Sequence, residues 1–220
     1  MTKRTIKETV REYDEHGKLV CETITDAAPI CQQGGNIQRV GKFKKVSFKQ
    51  FFDAMKDEFY EKMCAAIGNR SEEGFSDFVR DIYDKIQLPT RATSGSAGYD
   101  FKAPFGFSLL PGQTIKIPTG IRVKIDEGWW LGCLPRSGLG FKYRLQLNNT
   151  MGVIDSDYYY SDNEGHIFAK VTNDSNEGKE LTVEAGSGFM QAIFIPYGIT
   201  YTDNAEGVRN GGMGSTDAKK

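Results

Sequence analysis

From about residue 85 onward the apolar residues fall on alternate positions. Ile115, Ile117, Ile121, Val123 and Ile125 are all odd-numbered, with Pro118-Thr119-Gly120 as a corner among them. Alternation of this kind marks strands with one buried face. Gly186-Ser187-Gly188 then precedes the apolar run Phe189-Met190-Gln191-Ala192-Ile193-Phe194-Ile195-Pro196. Gly, Pro, Asn and Asp cut the runs short, and short strands between such breakers predict an all-β sandwich or jelly roll. The 25 glycines in 220 residues support this, because ordinary chains carry about 7%.

The N-terminal part has a different period. Thr9–Tyr13 and Lys18–Ile24 flank the turn-like cluster Asp14-Glu15-His16-Gly17, which predicts a hairpin. Residues 29–41 contain Gly34-Gly35-Asn36 and read as a linker. Ser47 is placed to cap a helix, with Gln50 as its capping-box partner. Phe48, Phe51, Phe52, Met55, Phe59, Met63, Ala66 and Ile67 recur at steps of three and four as one apolar stripe, and Gly68 follows as a stop. Phe75, Phe78, Val79, Ile82 and Tyr83 predict a second, shorter helix. Such a pair is expected to pack on the rest of the chain rather than to hold a cofactor. The expected organisation is therefore an α+β extension over residues 1–84, a mainly β domain over 85–206, and a Gly-rich tail over 207–220 that is mobile without a ligand.

Charge and composition narrow the function. Lys plus Arg is 28 and Asp plus Glu is 29, a net charge of -1. That balance argues against wrapping by nucleic acid, so no nucleic-acid partner is expected. It is compatible with a small polyanion held by a few local cations. No apolar run approaches the ~20 residues of a membrane helix. Met1-Thr2-Lys3-Arg4-Thr5 has no apolar core behind it, so the expected compartment is the cytoplasm. Cys21, Cys31, Cys64 and Cys133 form no CxxC pair and are expected as reduced thiols. With His16 and His166 as its only histidines, the chain is a poor candidate for Ser-His-Asp chemistry or a His-rich zinc site.

Five segments carry chemistry. Ala97-Gly98-Tyr99-Asp100-Phe101 is strand-like. Pro135-Arg136-Ser137-Gly138-Leu139-Gly140 joins a guanidinium to turn or helix-start amides, which makes a phosphate cradle. Asn149 to Tyr158 is a hairpin-like run with carboxylates at Asp155 and Asp157. Gln191 lies in the strong strand after Gly188, and Arg209-Asn210-Gly211-Gly212-Met213-Gly214-Ser215-Thr216 is a Gly-rich loop with its own Arg. That loop is not a Walker loop, because Met213 stands where the template requires Lys. No GxGxxG occurs, which disfavours a Rossmann cofactor site.

Taken in order, the five segments resemble the ordered motifs of the trimeric dUTPases, over about Lys85 to Asp217. The resemblance implies a dUTPase-like β jelly roll (β-clip), a homotrimer with shared active sites, and hydrolysis of dUTP to dUMP and pyrophosphate with Mg2+ on the triphosphate. It implies Asp155 as general base for a water attacking the α-phosphorus. Arg136, Ser137, Gly138 and Gln191 would hold phosphates, and Arg209 would close over the terminal phosphate with the tail residues Met213, Gly214 and Ser215. Asn149 and Gly152 would read the uracil edge, Tyr158 would lie beneath the deoxyribose, and Asp100 would act through a magnesium-bound water or a structural contact. The ion would take hard oxygen ligands from phosphates and water, with no direct protein ligand. A phage or prophage source is compatible with the resemblance.

The sequence departs from the family in three places. Met213 stands where an aromatic is usual, Gly188 stands where an Arg is usual, and Tyr159 to Glu164 lengthen the segment after Tyr158. His166 is expected as a strand residue with no role in the chemistry. Two other readings share the fold: a dCTP deaminase, which needs different acid–base residues, and a dUTP-sensing regulatory protein with little turnover.

Overall fold

The computed structural model describes residues 7–13, 19–26, 37–67, 71–207 and 209–210, and it divides into two compact units, residues 1–39 and 40–220. In the first unit β1 (Lys7–Tyr13) pairs antiparallel with β2 (Leu19–Asp26), with Thr9 opposite Ile24. This is the hairpin the alternating residues predict. Its turn at 14–17, the linker residues 29–36, the stop at Gly68 and the tail residues 211–220, including Met213, Gly214 and Ser215, lie outside the described residues.

The second unit starts with β3 (Gly41–Lys45), α1 (Phe48–Ile67) and α2 (Glu72–Lys85). Ser71 caps α2, its hydroxyl accepting from the Gly74 N–H at 3.1 Å. The strands β4 (Tyr99–Lys102), β5 (Phe107–Leu109), β6 (Thr114–Pro118), β7 (Ile121–Ile125) and β8 (Trp129–Pro135) come next. A short helix α3 (Ser137–Tyr143) follows, then β9 (Leu145–Leu147), β10 (Gly152–Ile154) and a 3-10 turn (Ser156–Tyr160). The last strands are β11 (Phe168–Asn173), β12 (Leu181–Val183) and β13 (Gly188–Pro196).

All the described strand pairs are antiparallel, and in this unit most join strands far apart in sequence. The largest sheet has the order β10-β8-β13-β4, and smaller ones are β6-β11-β9, β12-β5 and β3-β7. The result is mainly β, a jelly roll of several short sheets rather than a closed barrel. The alternation at 115–125 is real: Ile117, Ile121, Val123 and Ile125 are buried. Yet β6 and β7 do not pair with each other, because each turns to a distant strand. The corner between them is Gly120, at φ +70°, where a Cβ would run into the side chains of Ile86 and Phe51.

The expected division near residue 84 is not a boundary in the packing. β3 pairs along its length with β7, from Gly41 opposite Ile125 to Lys45 opposite Ile121. Phe51 and Met55 of α1, Val79 of α2, and Ile117, Leu131 and Phe189 of the strands belong to one continuous core. The Tyr83 hydroxyl donates to the Val46 carbonyl at 2.7 Å, and the Lys45 ammonium donates to the Tyr83 carbonyl at 2.7 Å. The helices therefore complete the β domain's hydrophobic core.

If so, truncating a helix residue must destabilise the whole second unit. Phe51 is fully buried, and Phe51→Ala should cost about 3–5 kcal/mol. Urea denaturation followed by far-UV circular dichroism should show one transition moved to lower urea. A separate early helical transition with the β transition unmoved would contradict the shared core.

Candidate active site

β13 lies between β8 and β4, and its register brings three of the expected residues together. Gln191 is opposite Asp100 on β4 and Leu134 on β8. Arg136 follows directly on β8 as the residue before α3, and its N–H donates to the Phe189 carbonyl at 3.2 Å. The Arg136 Nε lies 3.7 Å from an Asp100 carboxylate oxygen. Gln191 Nε2 reaches the Pro135 carbonyl at 3.4 Å, and its Oε1 would lie 3.0 Å from a Cβ placed on Gly98. Ser137 and Gly138 open α3, so their N–H groups have no acceptor within the helix. They are exposed, and a Cβ on Gly138 would meet nothing within 4 Å.

Gly188 has a clear task in this cluster. A Cβ there would lie 2.8 Å from Arg136 Nη1 and 3.2 Å from its Cζ. The guanidinium rests on the bare backbone of Gly188.

A second cluster forms around Asp155. The Asn149–Tyr158 segment expected as a hairpin is not one: β10 pairs with β8, and a 3-10 turn rather than a second strand follows it, while β9 before it pairs with β11. The chain between β9 and β10 turns at Thr150, φ +65°. A Cβ on Gly152 would be 3.1 Å from the Cys133 Cβ and 3.9 Å from Asn149 Nδ2. Gly152 thus leaves a flush wall beside the Asn149 amide. Burial pushes the Cys133 thiol behind it up to about 12, which keeps the thiol neutral.

Asp155 caps the 3-10 turn by position, yet its side chain makes no cap hydrogen bond and stays 43% exposed. Tyr158, 2% exposed, anchors the turn. Its hydroxyl donates to the His166 carbonyl at 2.7 Å and accepts from Asn163 Nδ2 at 2.8 Å. Arg209 Nη2 reaches Asp155 Oδ2 at 2.5 Å, and its Nε lies 3.1 Å from Asp157 Oδ1. With its amide turned to suit, Asn210 donates to both oxygens of Asp162 at 2.8 and 2.9 Å. The sequence carries no signal that Asp157 and Asp162 pair with Arg209 and Asn210, which lie some fifty residues away.

The two clusters are not adjacent within one chain. Ile154 is opposite Leu131, five residues before Arg136 on β8, which is about 16 Å along the strand. The chain then runs further from Arg136 towards Asp155. Arg136 leans the other way, over β13 towards β4.

These arrangements sit inside a known family. A model of the dUTPase family matches residues 84–217. The chain belongs to the dUTPase family. A deoxyuridine 5'-triphosphate nucleotidohydrolase of Lactococcus lactis subsp. lactis is 40% identical over 136 residues, covering 60% of this chain and 89% of the relative. One of Actinobacillus pleuropneumoniae is 42% identical over 118 residues, covering 52% and 74%. The crystal structure of the Streptococcus mutans dUTPase is 37% identical at a TM-score of 0.46, covering 51% of this chain and 88% of that one. The Staphylococcus bacteriophage 80alpha dUTPase with dUPNHPP is 21% identical at a TM-score of 0.46, covering 55% and 82%. By family this chain is an enzyme, a hydrolase. The dUTPase-family match begins within α2's last residues, so β3, α1 and nearly all of α2 precede it.

His166 departs from the strand position expected for it. It precedes β11, is fully buried, and packs against Phe168 with ring centroids 4.4 Å apart and planes tilted by 41°. Its Nε2 accepts the Gly120 N–H at 2.9 Å, so the ring is neutral with its proton on Nδ1. Burial, helped by the charge of Lys116, lowers its pKa from 6.5 to about 3. The unfolded chain takes up a proton below 6.5 and the folded chain does not until about 3. Stability from this group is therefore full above that window and falls as pH drops through it. Between pH 7 and pH 5 the loss should be about 2 kcal/mol. A His166→Phe protein should be less stable at pH 7 but lose much less over the same interval. Equal losses in both proteins, measured by urea denaturation, would contradict the assignment.

Proposed function

We propose that the chain hydrolyses dUTP to dUMP and pyrophosphate, with a site completed by neighbouring copies in a homotrimer. The observation that carries this reading is the pair of half-sites at opposite corners of the β10-β8-β13-β4 sheet. One has cationic and amide donors suited to phosphates, and the other has an uncapped carboxylate beside a flush amide-lined wall. A general base must lie within hydrogen-bond reach of its water, and that water must lie about 3–3.5 Å from phosphorus. About 16 Å of intervening strand prevents one chain from meeting both conditions. Exposed apolar side chains flank both halves: Phe141 at 93% beside the cradle, Val153 at 53% and Tyr160 at 71% beside Asp155. Such surface suits burial against another copy.

In this reading Arg136, Ser137 and Gly138 hold the inner phosphates, and Gln191 adds a contact. Asn149 hydrogen-bonds the uracil edge, and the wall at Gly152 leaves no room for a 5-methyl group. Tyr158 supports the sugar from below through its buried ring. Asp155 takes a proton from the attacking water as the new oxygen–phosphorus bond forms and the bond to the β-phosphate oxygen breaks. Arg209 covers Asp155 Oδ2, an oxygen the water would use. A triphosphate carries more negative charge than one carboxylate and competes for that guanidinium, drawing the tail residues Met213, Gly214 and Ser215 over the nucleotide.

Asp100 fits a hard cation that arrives on the phosphates. Its carboxylate is mostly buried beside Arg136 and faces the cradle as a lone acid, suited to reach such an ion through water rather than to enclose it. Magnesium there would neutralise charge on the triphosphate. A cytoplasmic location belongs to the same reading, where the nucleotide would be available.

The decisive experiment is pyrophosphate release from dUTP and from each of the four ordinary deoxynucleoside triphosphates, with and without Mg2+. Release from dUTP alone, dependent on Mg2+ and reduced at least a hundredfold in Asp155→Asn, is expected. Deamination of dCTP, or tight dUTP binding without product, would overturn the reading in favour of the deaminase or the sensor. A second prediction concerns Gly188. Gly188→Ala displaces the guanidinium of Arg136 and should raise KM for dUTP about tenfold with kcat changed less. An unchanged KM would show that Arg136 does not hold the triphosphate.

A further inference from the structure

The cap of α1 is completed from an unexpected place. Ser47 accepts from the Gln50 N–H at 3.1 Å, as its position predicts. The reciprocal acceptor is Glu164, 117 residues away: the Ser47 N–H donates to Oε2 at 2.8 Å and the Ser47 hydroxyl donates to Oε1 at 2.5 Å. The first turn of α1 contains no acid of its own, so Glu164 supplies the negative charge that a helix N-terminus favours.

Glu164 also closes the segment that starts at Asp155. It has φ +58°, in the left-handed region, and Gly165 follows at φ +67°. A Cβ on Gly165 would lie 2.7 Å from the Tyr158 carbonyl oxygen and 2.7 Å from the Tyr159 Cα. The returning chain therefore presses on the backbone of the 3-10 turn. Arg122 of β7 adds a second clamp: its Nη2 donates to the Tyr159 carbonyl at 2.6 Å, its Cζ lies 3.7 Å from the Tyr159 ring centroid, and its Nη1 is 3.7 Å from Glu164 Oε2. Upstream, the backbone leading to Asp155 is the three-residue edge strand β10. A left-handed non-glycine residue persists only where its surroundings over-determine it, and here they tie a reactive turn to a helix.

We propose that Glu164 is a positioning residue for Asp155. Through Ser47 it fastens the 155–166 loop to α1, so the helices that precede the dUTPase-family match set the geometry of the carboxylate. The inference rests on the reading of Asp155 as general base. The alternative for these contacts is a purely structural role, in which they add stability and leave the chemistry alone.

Four full-length variants decide it: Glu164→Ala, Ser47→Ala, the double variant, and Asp155→Asn. A displaced base slows the chemical step while leaving nucleotide contacts in place. Glu164→Ala should lower kcat for dUTP about tenfold or more with KM within about twofold. Ser47→Ala keeps the backbone donor and should lower kcat about threefold. The double variant should be no slower than Glu164→Ala, because both changes break one link. If Glu164→Ala does not fold at the assay temperature, Ser47→Ala alone carries the test. A kcat within twofold of wild type in the folded variants, with only Tm lowered, would overturn the proposal while leaving an inactive Asp155→Asn to uphold the underlying reading. An Asp155→Asn protein as active as wild type would overturn both.

Discussion

The register of β13 against its two neighbours is the constraint on which the cluster of Arg136, Asp100 and Gln191 depends. Met190 to Pro196 of β13 each face a residue on β8, and Gly188 and Met190 to Ala192 each face one on β4. The register shifts between Gly188 and Met190, so Phe189 and Met190 are both fully buried while Gly188 stays beneath the Arg136 guanidinium. Irregularities of this kind re-aim side chains next to sites. A slip by one residue would turn Gln191 into the core and expose Met190 and Ala192. The burial of those two residues is therefore what holds the amide of Gln191 beside Asp100. Core packing and the geometry of the Asp100, Arg136 and Gln191 cluster depend on the same set of contacts.

How much of this the sequence discloses depends on whether the determining contact is local. The alternation at Ile117, Ile121, Val123 and Ile125 correctly marks two strands with buried faces. It is silent on what lies across from them: β11 for β6 and β3 for β7, each tens of residues away. The same ignorance makes residues 149–158 look like a hairpin, since the local pattern does not say that β10 pairs with β8 and is followed by a 3-10 turn rather than a second strand. Ser47 is readable as a cap, because serine at that place has a local acceptor role. Its partner Glu164 is not, because no spacing rule spans 117 residues. For the site, the motif residues are legible one by one, and Arg136, Asp100 and Gln191 do converge. Their separation from Asp155 follows from sheet order, which the linear sequence does not state.

That separation reshapes what one copy of the chain is. Under the proposed function, each copy would present a phosphate cradle at one corner and the base at the other. Both corners carry exposed apolar side chains, Phe141 at one and Tyr160 at the other. Within the copy the base is covered by Arg209, which also touches Asp157. Opposed charges at 2.5–3.1 Å on partly exposed side chains are individually weak, so the guanidinium is available to a stronger polyanion. Under the proposed function, the chemistry would be gated by assembly and by the charge of the substrate.

The N-terminal helices fit this picture better as framework than as ornament. An appended pair that merely covered the β domain would need only its apolar stripe, and Phe51 and Met55 supply that. The polar link from α1 to Glu164 does something an apolar contact does not, because it is directional and fixes the loop end in one place. It also holds Glu164 in a backbone conformation that costs about 1–2 kcal/mol for a residue with a side chain. A loop free to relax would shed that cost by rearranging, and its start, at Asp155, would move with it. The strain is tolerated because two oxygens of one carboxylate are spoken for by a helix that cannot shift without opening the core around Phe51. In that sense the position of an exposed acid is set by a buried phenylalanine on an element that the dUTPase-family match does not include.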